Sequence, residues 1–352
     1  MHDQQFARGA EPRILLPHRH RGAGWAAAHR LHRLSPGHQI RLGPRGLGQG
    51  ADRMSIAAAP VANTALRGPT GVFCAALTPL TEDLAPDHAE FAAHAKWLLA
   101  EGCDGIAMLG TTGEANSFSV AERQALLEAT IAAGVAPGTL LPGTGVAAFT
   151  ETVQLTQHAL SCGVTDVVML PPFYYKGVSD DGVYAAYSEV LQRIGDSRLR
   201  VVLYHIPQMS SVPISHAVIA RLLRDFPETV VGIKDSAGDI ANMEAMVERF
   251  PGFSVLAGAD PLMLPLRRKG GAGCITATSN LVARDLAFVY RHALEDDRAA
   301  EVDAAQARVV AARNKASRFP QMASLKAMTA ARTGKPGWAR LRPPLLPLAP
   351  RT

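Results

Sequence analysis

The chain has 352 residues, of which 47% are hydrophobic and 19% are charged, an ordinary composition for a globular protein. No apolar run reaches the roughly 18–20 residues that cross a bilayer, and aromatic residues make up only 6%, so a membrane-spanning protein is excluded and a base-stacking nucleic-acid binder is disfavoured. The formal net charge of +5 arises within residues 1–53, so the rest of the chain gives no electrostatic reason to bind nucleic acid or an anionic membrane.

The first segment differs in composition from the rest of the chain. Residues 1–53 hold nine Arg, no Lys and three acids, whereas the remaining residues hold 27 basic and 28 acidic side chains. The segment is rich in Arg, His, Gly and Pro, and it has too little apolar surface to offset the entropy lost on ordering. We therefore expect residues 1–68 to form a disordered or non-native N-terminal extension. Two alternatives are translation that starts at Met54 and a functional basic tail.

From Gly71 onward, eight short apolar runs alternate with stretches of helical period. Continuous apolar runs are typical of strands that are buried on both faces. The predicted strands are Val72–Leu77, Gly105–Leu109, Thr139–Leu141, Val167–Leu170, Val201–Tyr204, Val230–Ile233, Ser254–Ala257 and Gly273–Thr276.

Helix signals fill the intervals between these strands. Ser119 with Glu122 three residues later forms a capping box, for example, and marks the start of the second helix. The predicted helices cover 86–101, the stretch from Ser119 onward, 149–161, 181–194, 215–225, 238–249, 260–269 and 281–295. Eight strand–helix units in about 225 residues predict an α/β fold, a closed (β/α)8 TIM barrel, over residues 69–296. The alternative, an open doubly wound sheet, usually has fewer strands.

The barrel is followed by further helical sequence. Residues 297–317 are charged and Ala-rich, and residues 324–333 have the pattern of a second short helix. The proline-rich end of the chain is unsuited to a helix. We therefore predict that residues 297–352 form a small C-terminal helical region and tail, called the helical appendix below.

The cysteines and glycines give no sign of a metal or an organic cofactor. The four cysteines are far apart with no CxxC pair, which fits buried free thiols in a reducing, cytoplasmic protein. No zinc-ligand spacing occurs in the body of the chain. The G-x-G-x-x-A run at 143–148 lacks the acidic residue that a dinucleotide site requires about 20 residues further on.

Polar residues gather where the predicted strands end. In a (β/α)8 barrel the chemistry lies at the carboxyl ends of the strands. The runs found there are Gly110-Thr111-Thr112-Gly113-Glu114, Pro171-Pro172-Phe173-Tyr174-Tyr175, Tyr204-His205-Ile206-Pro207, Gly232-Ile233-Lys234-Asp235-Ser236 and Ile275-Thr276. We expect these hydroxyls, tyrosines and the lysine to converge on one face.

Lys234 gives the sharpest chemical hypothesis. It directly follows an apolar strand and is expected to point into the barrel mouth, where apolar walls favour the neutral form of an amine. A neutral amine attacks a ketone carbon and forms a Schiff base, and the phenol of Tyr204, one strand away, can shuttle the protons. The alternatives are a structural lysine paired with Asp235 or another acid, and a tyrosine that is simply buried in the core.

The loop after the second strand is suited to bind a carboxylate. Thr111 and Thr112 offer two hydroxyls, and Gly110 and Gly113 let the backbone approach a ligand. Backbone amides in such a loop form an anion-binding nest, which suits a carboxylate next to a reacting ketone. The alternative is a plain tight turn.

Four of these motifs, GTTGE, PPFYY, LYHIP and GIKDS, occur in this order, and the chain resembles the dihydrodipicolinate synthase and N-acetylneuraminate lyase family over roughly residues 69–345. The members are class I, Schiff-base pyruvate aldolases. The resemblance implies that Lys234 forms the imine and that Tyr204 is the general acid and base. It also implies that Thr111 and Thr112 hold the pyruvate carboxylate, with Thr111 linking Tyr204 into a proton relay.

The resemblance extends to assembly and to the edge of the site. Tyr174 matches the tyrosine that family members insert into the site of a neighbouring subunit, and Ile275 matches a position whose backbone carbonyl borders the substrate. The family is usually a homotetramer, a dimer of dimers, and needs no metal or organic cofactor.

One position departs from the pattern of the dihydrodipicolinate-forming relatives. There, an arginine two residues after the proline of the Tyr-x-x-Pro motif binds the carboxylate of the aldehyde substrate, whereas this chain has Met209. A thioether cannot pair with a carboxylate, and losing such a contact costs roughly 2–5 kcal/mol of binding. His205 and Gln208 are available instead to hydrogen-bond a polyol chain.

These observations predict a class I lyase that acts on a 2-keto-3-deoxy sugar acid or a similar 2-oxo acid and releases pyruvate and an aldehyde. Dehydration of the substrate through the same imine is an alternative reaction. The first alternative is 4-hydroxy-tetrahydrodipicolinate synthase, which condenses pyruvate with aspartate semialdehyde. An alternative of another class is a non-catalytic barrel whose basic tail contacts nucleic acid.

Overall fold

The computed structural model describes residues 65–349, so the predictions made for residues 1–64 lie outside the described part of the chain. Seven parallel strands form one sheet in the order β2-β1-β7-β6-β5-β4-β3. The strands are β1 (Gly71–Ala75), β2 (Gly105–Ala107), β3 (Asp166–Met169), β4 (Arg200–His205), β5 (Val230–Asp235), β6 (Ser254–Ala257) and β7 (Gly273–Thr276). The order leaves β2 and β3 as the two edges of this sheet.

The third predicted strand closes the gap between these edges, although it is not a regular strand. In residues 140–144, Leu141 N donates to Ile106 O of β2 at 2.9 Å, and Thr144 N donates to Val168 O of β3 at 3.0 Å. Single parallel bridges join the segment to both edges. The predicted (β/α)8 barrel is therefore confirmed. Residues 140–144 complete the barrel beside the seven regular strands and are called the irregular eighth strand below.

Local chemistry explains the irregularity of this segment. Pro142 has no N–H to donate to a ladder. A Cβ built on Gly143 would lie 2.3 Å from Leu109 O, so the backbone passes closer to its neighbour than a side chain allows. The segment therefore keeps its hydrogen bonds at both ends without a continuous ladder.

The predicted helices form with shifts of a few residues at their ends. They are α1 (His88–Ala100), α2 (Val120–Ala132), α3 (Phe149–Ser161), α4 (Asp180–Ile194), α5 (Pro207–Ser210), α6 (His216–Asp225), α7 (Ile240–Arg249), α8 (Asp260–Arg268), α9 (Ser279–His292), α10 (Ala299–Ala316) and α11 (Gln321–Thr333). The capping box at Ser119 and Glu122 is present in full. The short helix α5, which follows β4, was not predicted. Helices α10 and α11 belong to the helical appendix.

Alternation along the strands decides what faces the barrel interior. Successive side chains of a strand point to opposite faces, so Tyr204 lies with the interior cluster while Leu203 packs in the core between sheet and helices. Tyr204 of β4 is in register with Lys234 of β5. Both side chains therefore reach the mouth of the barrel from neighbouring strands.

The last residues of the predicted N-terminal extension contact the barrel, since Arg67 N donates to Gly252 O at 2.9 Å. At the other end, the last barrel helix stops at His292, and α10 begins at Ala299. Within residues 65–349, no helix combines the length and apolarity needed to cross a membrane.

Candidate active site

Lys234 and Tyr204 lie side by side at the carboxyl ends of β5 and β4. The Lys234 Nζ atom is 4.1 Å from the centroid of the Tyr204 ring. The two residues are only 6% and 4% exposed. A buried amine beside a buried phenol is an arrangement in which protons can be passed between the two groups.

The structure argues against a structural ion pair for Lys234. The Asp235 carboxylate accepts hydrogen bonds from Ala237 N and from Asn242 Nδ2, each at 2.8 Å. The cavities around Lys234 have no acidic side chain among the lining residues that the structure describes. Among the described residues no carboxylate pairs with the amine, which lies against the Tyr204 ring and borders both cavities.

The surroundings of Tyr204 favour loss of its phenolic proton. Burial by itself raises the pKa of Tyr204, but the positive charge of Lys234 and hydrogen bonds from Thr111, Lys234 and Ser236 outweigh burial, so the pKa lies below the ordinary value. The Thr111 Oγ1 atom is 3.3 Å from the Tyr204 hydroxyl. The phenol is thus poised to exchange a proton with a group bound next to it.

The loop that carries Thr111 and Thr112 is held in a strained backbone path. Leu109 and Glu114, which flank it, both have positive φ angles, 56° and 57°. Thr78 Oγ1 donates to Gly113 O at 2.8 Å from the opposite side. Positive φ in non-glycine residues costs free energy and persists only where the surroundings enforce it. The loop is therefore positioned by contacts rather than by its own preference.

Two adjoining cavities lie above these residues, with about 450 and 500 Å³ of empty space that extends into open solvent. The residues that line both cavities are Ala75, Thr111, Tyr204, Lys234 and Ile275. Seven of the ten predicted site residues line one cavity or both: Gly110, Thr111, Thr112, Tyr204, Gln208, Lys234 and Ile275. The predicted convergence of hydroxyls, phenol and amine is thus present in the structure.

His205 is not brought into these cavities. Its Nδ1 atom accepts a hydrogen bond from Ile214 N at 3.1 Å, and the ring lines a separate depression together with His216. Burial lowers the pKa of His205, opposed by the Asp235 carboxylate and reinforced by His216. The predicted contact of His205 with substrate is not supported by this placement, because the residue after Tyr204 on a strand points to the other face.

Tyr174 and Met209 also lie outside the cavities. Tyr174 is 73% exposed and makes an edge-to-face contact with Tyr175 at 5.3 Å between ring centroids. Met209, on α5, is 59% exposed. Gln208, its neighbour, does line the larger cavity, and its Nε2 atom donates to Ser236 O at 2.6 Å. The role of Tyr174 in the site of another subunit stays a prediction, because the structure describes one chain.

Two polar residues of the helical appendix line the larger cavity, and neither was predicted from the sequence. Arg313 of α10 and Gln321 at the start of α11 both border it, although they belong to the helical appendix. Neither residue directly follows a strand, so the pattern of polar residues at strand ends does not point to them. A lone arginine in a charged helix gives no local signal of its position.

The described residues include no group of three or more His, Cys, Asp or Glu side chains placed to hold a metal ion. All four cysteines are free, and burial raises the pKa of Cys74 and Cys274 well above the ordinary value and that of Cys103 to about 12. These three thiols are therefore poor nucleophiles.

Known proteins match both the sequence and the fold. The sequence profile of the dihydrodipicolinate synthetase family matches residues 68–351. An uncharacterized DapA-like lyase of Chloroflexus aurantiacus is 36% identical over 282 residues, 80% of this chain and 92% of that protein.

Solved structures agree with the sequence matches. The dihydrodipicolinate synthase of Agrobacterium tumefaciens strain C58 superposes with a TM-score of 0.72 at 32% identity, covering 80% of this chain and 94% of that one. A prophage protein of the dihydrodipicolinic acid synthase family from E. coli K12, solved in complex with pyruvate, gives a TM-score of 0.72 at 25% identity and covers 80% and 93%.

Proposed function

The chain belongs to the dihydrodipicolinate synthetase family, and we propose that its active site is the barrel mouth where Lys234 and Tyr204 meet. As a member of this family it is a lyase that acts through a Schiff base with pyruvate. The observation that carries the assignment of residues is the contact of the Lys234 amine with the Tyr204 ring, whose hydroxyl lies 3.3 Å from Thr111 Oγ1.

The first step is imine formation. Lys234 first gives a proton to the Tyr204 phenolate. Its neutral amine then attacks the C2 ketone of a 2-oxo acid, and the carbinolamine takes a proton from the Tyr204 phenol and loses one water to give a protonated imine. The hydroxyls of Thr111 and Thr112 hold the adjacent carboxylate. Tyr204 supplies and removes the protons, and Thr111, whose Oγ1 atom is 3.3 Å from the phenol, connects it to the substrate.

The second step breaks the C3–C4 bond. The Tyr204 phenolate takes the proton of the C4 hydroxyl, the C4–O bond becomes a carbonyl, and the C3–C4 electron pair moves into the protonated imine to give an enamine. The aldehyde leaves, C3 takes a proton, and water hydrolyses the imine to release pyruvate and the free lysine. The water consumed here balances the one released when the imine formed.

For the substrate we favour a 2-keto-3-deoxy sugar acid or a similar 2-oxo acid. Support comes from Met209, which offers no charge to an aldehyde carboxylate, and from Gln208, an uncharged hydrogen-bonding side chain in the cavity. The second candidate is 4-hydroxy-tetrahydrodipicolinate synthase, supported by the 32% identical relative from Agrobacterium, which is named dihydrodipicolinate synthase. Pyruvate release from a panel of 2-keto-3-deoxy acids, set against a coupled assay with aspartate semialdehyde, distinguishes the two.

The same proposal includes a homotetramer in the cytoplasm. The exposed edge-to-face pair of Tyr174 and Tyr175 supports a subunit interface at this surface, since large exposed aromatic side chains are enriched at such contacts. Four free cysteines support a reducing compartment. Light scattering on wild-type protein and on Tyr174→Ala tests the assembly, with dissociation expected for the variant.

Borohydride trapping tests the assignment of the lysine. Wild-type protein treated with pyruvate and borohydride should gain one reduced pyruvate adduct, and peptide mass analysis should place it on Lys234. Protein incubated with borohydride alone is the control. A folded protein that shows no adduct at Lys234 would overturn the proposal.

A further inference from the structure

The helical appendix places a guanidinium at the edge of the larger cavity. Arg313 of α10 borders the same space as Thr112, Gln208 and Lys234. Its side chain is only 26% exposed. A charged side chain that is three-quarters buried and faces a cavity is unusual at the surface of a helix, where arginines normally extend into water.

One buried carboxylate holds Arg313 in place. The Nη1 atom of Arg313 is 3.1 Å from Oδ2 of Asp260, which is fully buried and also accepts a hydrogen bond from Thr278 Oγ1 at 2.8 Å. The described residues provide no hydrogen-bond partner for Nη2 or Nε of Arg313. A guanidinium has five donors in a fixed plane, and those left free match the two oxygens of a carboxylate.

The charge balance of the cavities favours an anionic ligand. Among the described lining residues, Lys234 and Arg313 are basic and no side chain is acidic. The Lys234 nitrogen becomes part of the imine, and the first carboxylate of the substrate is held by Thr111 and Thr112 in the loop formed by residues 110–114, called the threonine loop below. Asp260 engages only Nη1 of Arg313, so the other donors of the guanidinium remain for a second negative group further along the substrate.

We propose that Arg313 is a specificity-determining residue that binds a carboxylate on the aldehyde half of the substrate. Within the substrate class proposed above, the preferred compounds are then 2-keto-3-deoxy sugar acids and similar 2-oxo acids that carry a second carboxylate at the end remote from the ketone. Helix α5 carries no charged residue and its Met209 is exposed, so the charge at the cavity comes from α10. This proposal rests on the imine chemistry of Lys234 proposed above.

The test compares two aldehydes of similar size in condensation with pyruvate. Succinic semialdehyde ends in a carboxylate, and 4-hydroxybutanal ends in a neutral hydroxyl. We expect the wild-type protein to prefer the acid, and Arg313→Gln to lower kcat/KM for the acid by about 10- to 100-fold, the value of a charge-assisted hydrogen bond. The kcat/KM for the neutral aldehyde should change little.

Two further variants keep the result interpretable. Arg308→Gln removes a charge from the same helix, where Arg308 pairs with Asp285 at the surface, and it should leave the ratio of the two aldehydes unchanged. Arg313→Lys keeps the charge but loses the planar fork, so it should retain part of the preference. If Arg313 only fastened α10 to Asp260, every variant at position 313 would lower kcat/KM for both aldehydes by the same factor.

Borohydride trapping with pyruvate alone separates this proposal from the proposed function. Pyruvate is too short to need Arg313, so Arg313→Gln should trap as well as the wild-type protein does. Loss of trapping in the wild-type protein defeats the imine chemistry and this proposal with it. Two results with normal trapping would overturn the role of Arg313 alone. One is a wild-type protein that does not prefer the acid aldehyde; the other is an Arg313→Gln protein whose ratio of kcat/KM for the two aldehydes equals that of the wild-type protein. If Arg313→Gln does not fold, the ratios of the wild-type protein and Arg313→Lys decide.

Discussion

The strand ends of the barrel and the helical appendix build the same cavity in different ways. Lys234 and Tyr204 come from adjacent strands whose backbone hydrogen bonds fix their register. The appendix contributes side chains across long sequence separations, such as Arg313 at the cavity and Lys326 beneath the threonine loop. The strands thus carry the proposed reacting groups, while the appendix contacts the loop and borders the cavity.

The contacts of the appendix with the loop are buried and charged. Lys326 of α11 forms an ion pair with Glu114, the last residue of the GTTGE motif, and neither side chain is exposed. Lys326 Nζ also donates to Arg340 O at 2.7 Å, and Glu114 accepts from Arg342 N at 3.1 Å. Because the pair is desolvated, losing either partner leaves an uncompensated charge behind. The strained backbone at Glu114 is thus held from the appendix.

The largest effect expected on the strand side follows from Lys234→Arg. A guanidinium stays charged and forms no imine, so kcat/KM for 2-oxo acid cleavage should fall by at least about 10⁴-fold, the scale seen when a covalent nucleophile is removed. Pyruvate release measures the loss. Lys269→Arg, at the exposed end of α8, is the matched control and should keep full activity. Substantial turnover by Lys234→Arg would contradict an imine at this residue.

Tyr204→Phe probes the second strand residue. Removing the phenol deletes the proton-transfer group while the ring that packs against Lys234 remains, so kcat should fall by about 10²- to 10⁴-fold. Borohydride trapping and steady-state rates separate slow imine formation from slow bond cleavage. Tyr184→Phe, which removes a surface hydroxyl that donates to Asp225 at 2.6 Å, is the control. Equal activity of the two variants would remove Tyr204 from the mechanism.

On the appendix side, two Lys–Glu pairs differ in burial and should differ in the free energy of unfolding they carry. Lys326→Met breaks the buried pair with Glu114 and should destabilise the protein by about 3–5 kcal/mol. Lys335→Met breaks the pair with Glu90, in which the lysine is 58% exposed, and should cost about 0–1 kcal/mol.

Denaturant unfolding measures both variants, and the KM for pyruvate gives a second reading. It should rise in Lys326→Met, because the threonine loop loses its support, and stay unchanged in Lys335→Met. Equal destabilisation by the two changes, or an unchanged KM in a folded Lys326→Met protein, would show that the buried pair does not position the loop.

The stability of the protein should depend on pH through His94, which lies where the barrel contacts the helical appendix. Its Nε2 atom lies 2.9 Å from Asn280 Oδ1, its ring packs edge-on against Trp338, and burial lowers its pKa to about 4, opposed by the hydrogen bond to Asn280. Between pH 6.5 and about 4 the unfolded chain holds a proton on His94 that the folded chain does not, so stability falls as the pH drops through this window.

The expected loss from this histidine is about 3 kcal/mol over the whole window. Denaturant midpoints at a series of pH values measure it, and His94→Gln should flatten the slope. His88→Gln, on the same helix outside this cluster, should keep the wild-type slope. A His94→Gln protein with the wild-type slope would place the pH dependence elsewhere.

Much of the site was predictable because the chemistry sits at strand ends. The apolar runs located Lys234 and Tyr204 at the mouth of the barrel, and the loop after the second run located Thr111 and Thr112. The position of His205 was predictable as well, since two-residue alternation puts it on the face opposite Tyr204, but the prediction placed both residues in the site. The irregular eighth strand was not foreseen in detail, because its form depends on how closely the backbone passes Leu109.

The sequence by itself determined the alternation of strands and helices, the caps of the helices and the order of the motifs, because these depend on neighbours a few residues apart. Only the tertiary structure decided that Arg313 borders the cavity and that Lys326 is buried against Glu114. These contacts join segments distant in the chain, and no local period encodes which helix of the appendix will come to lie over which strand end.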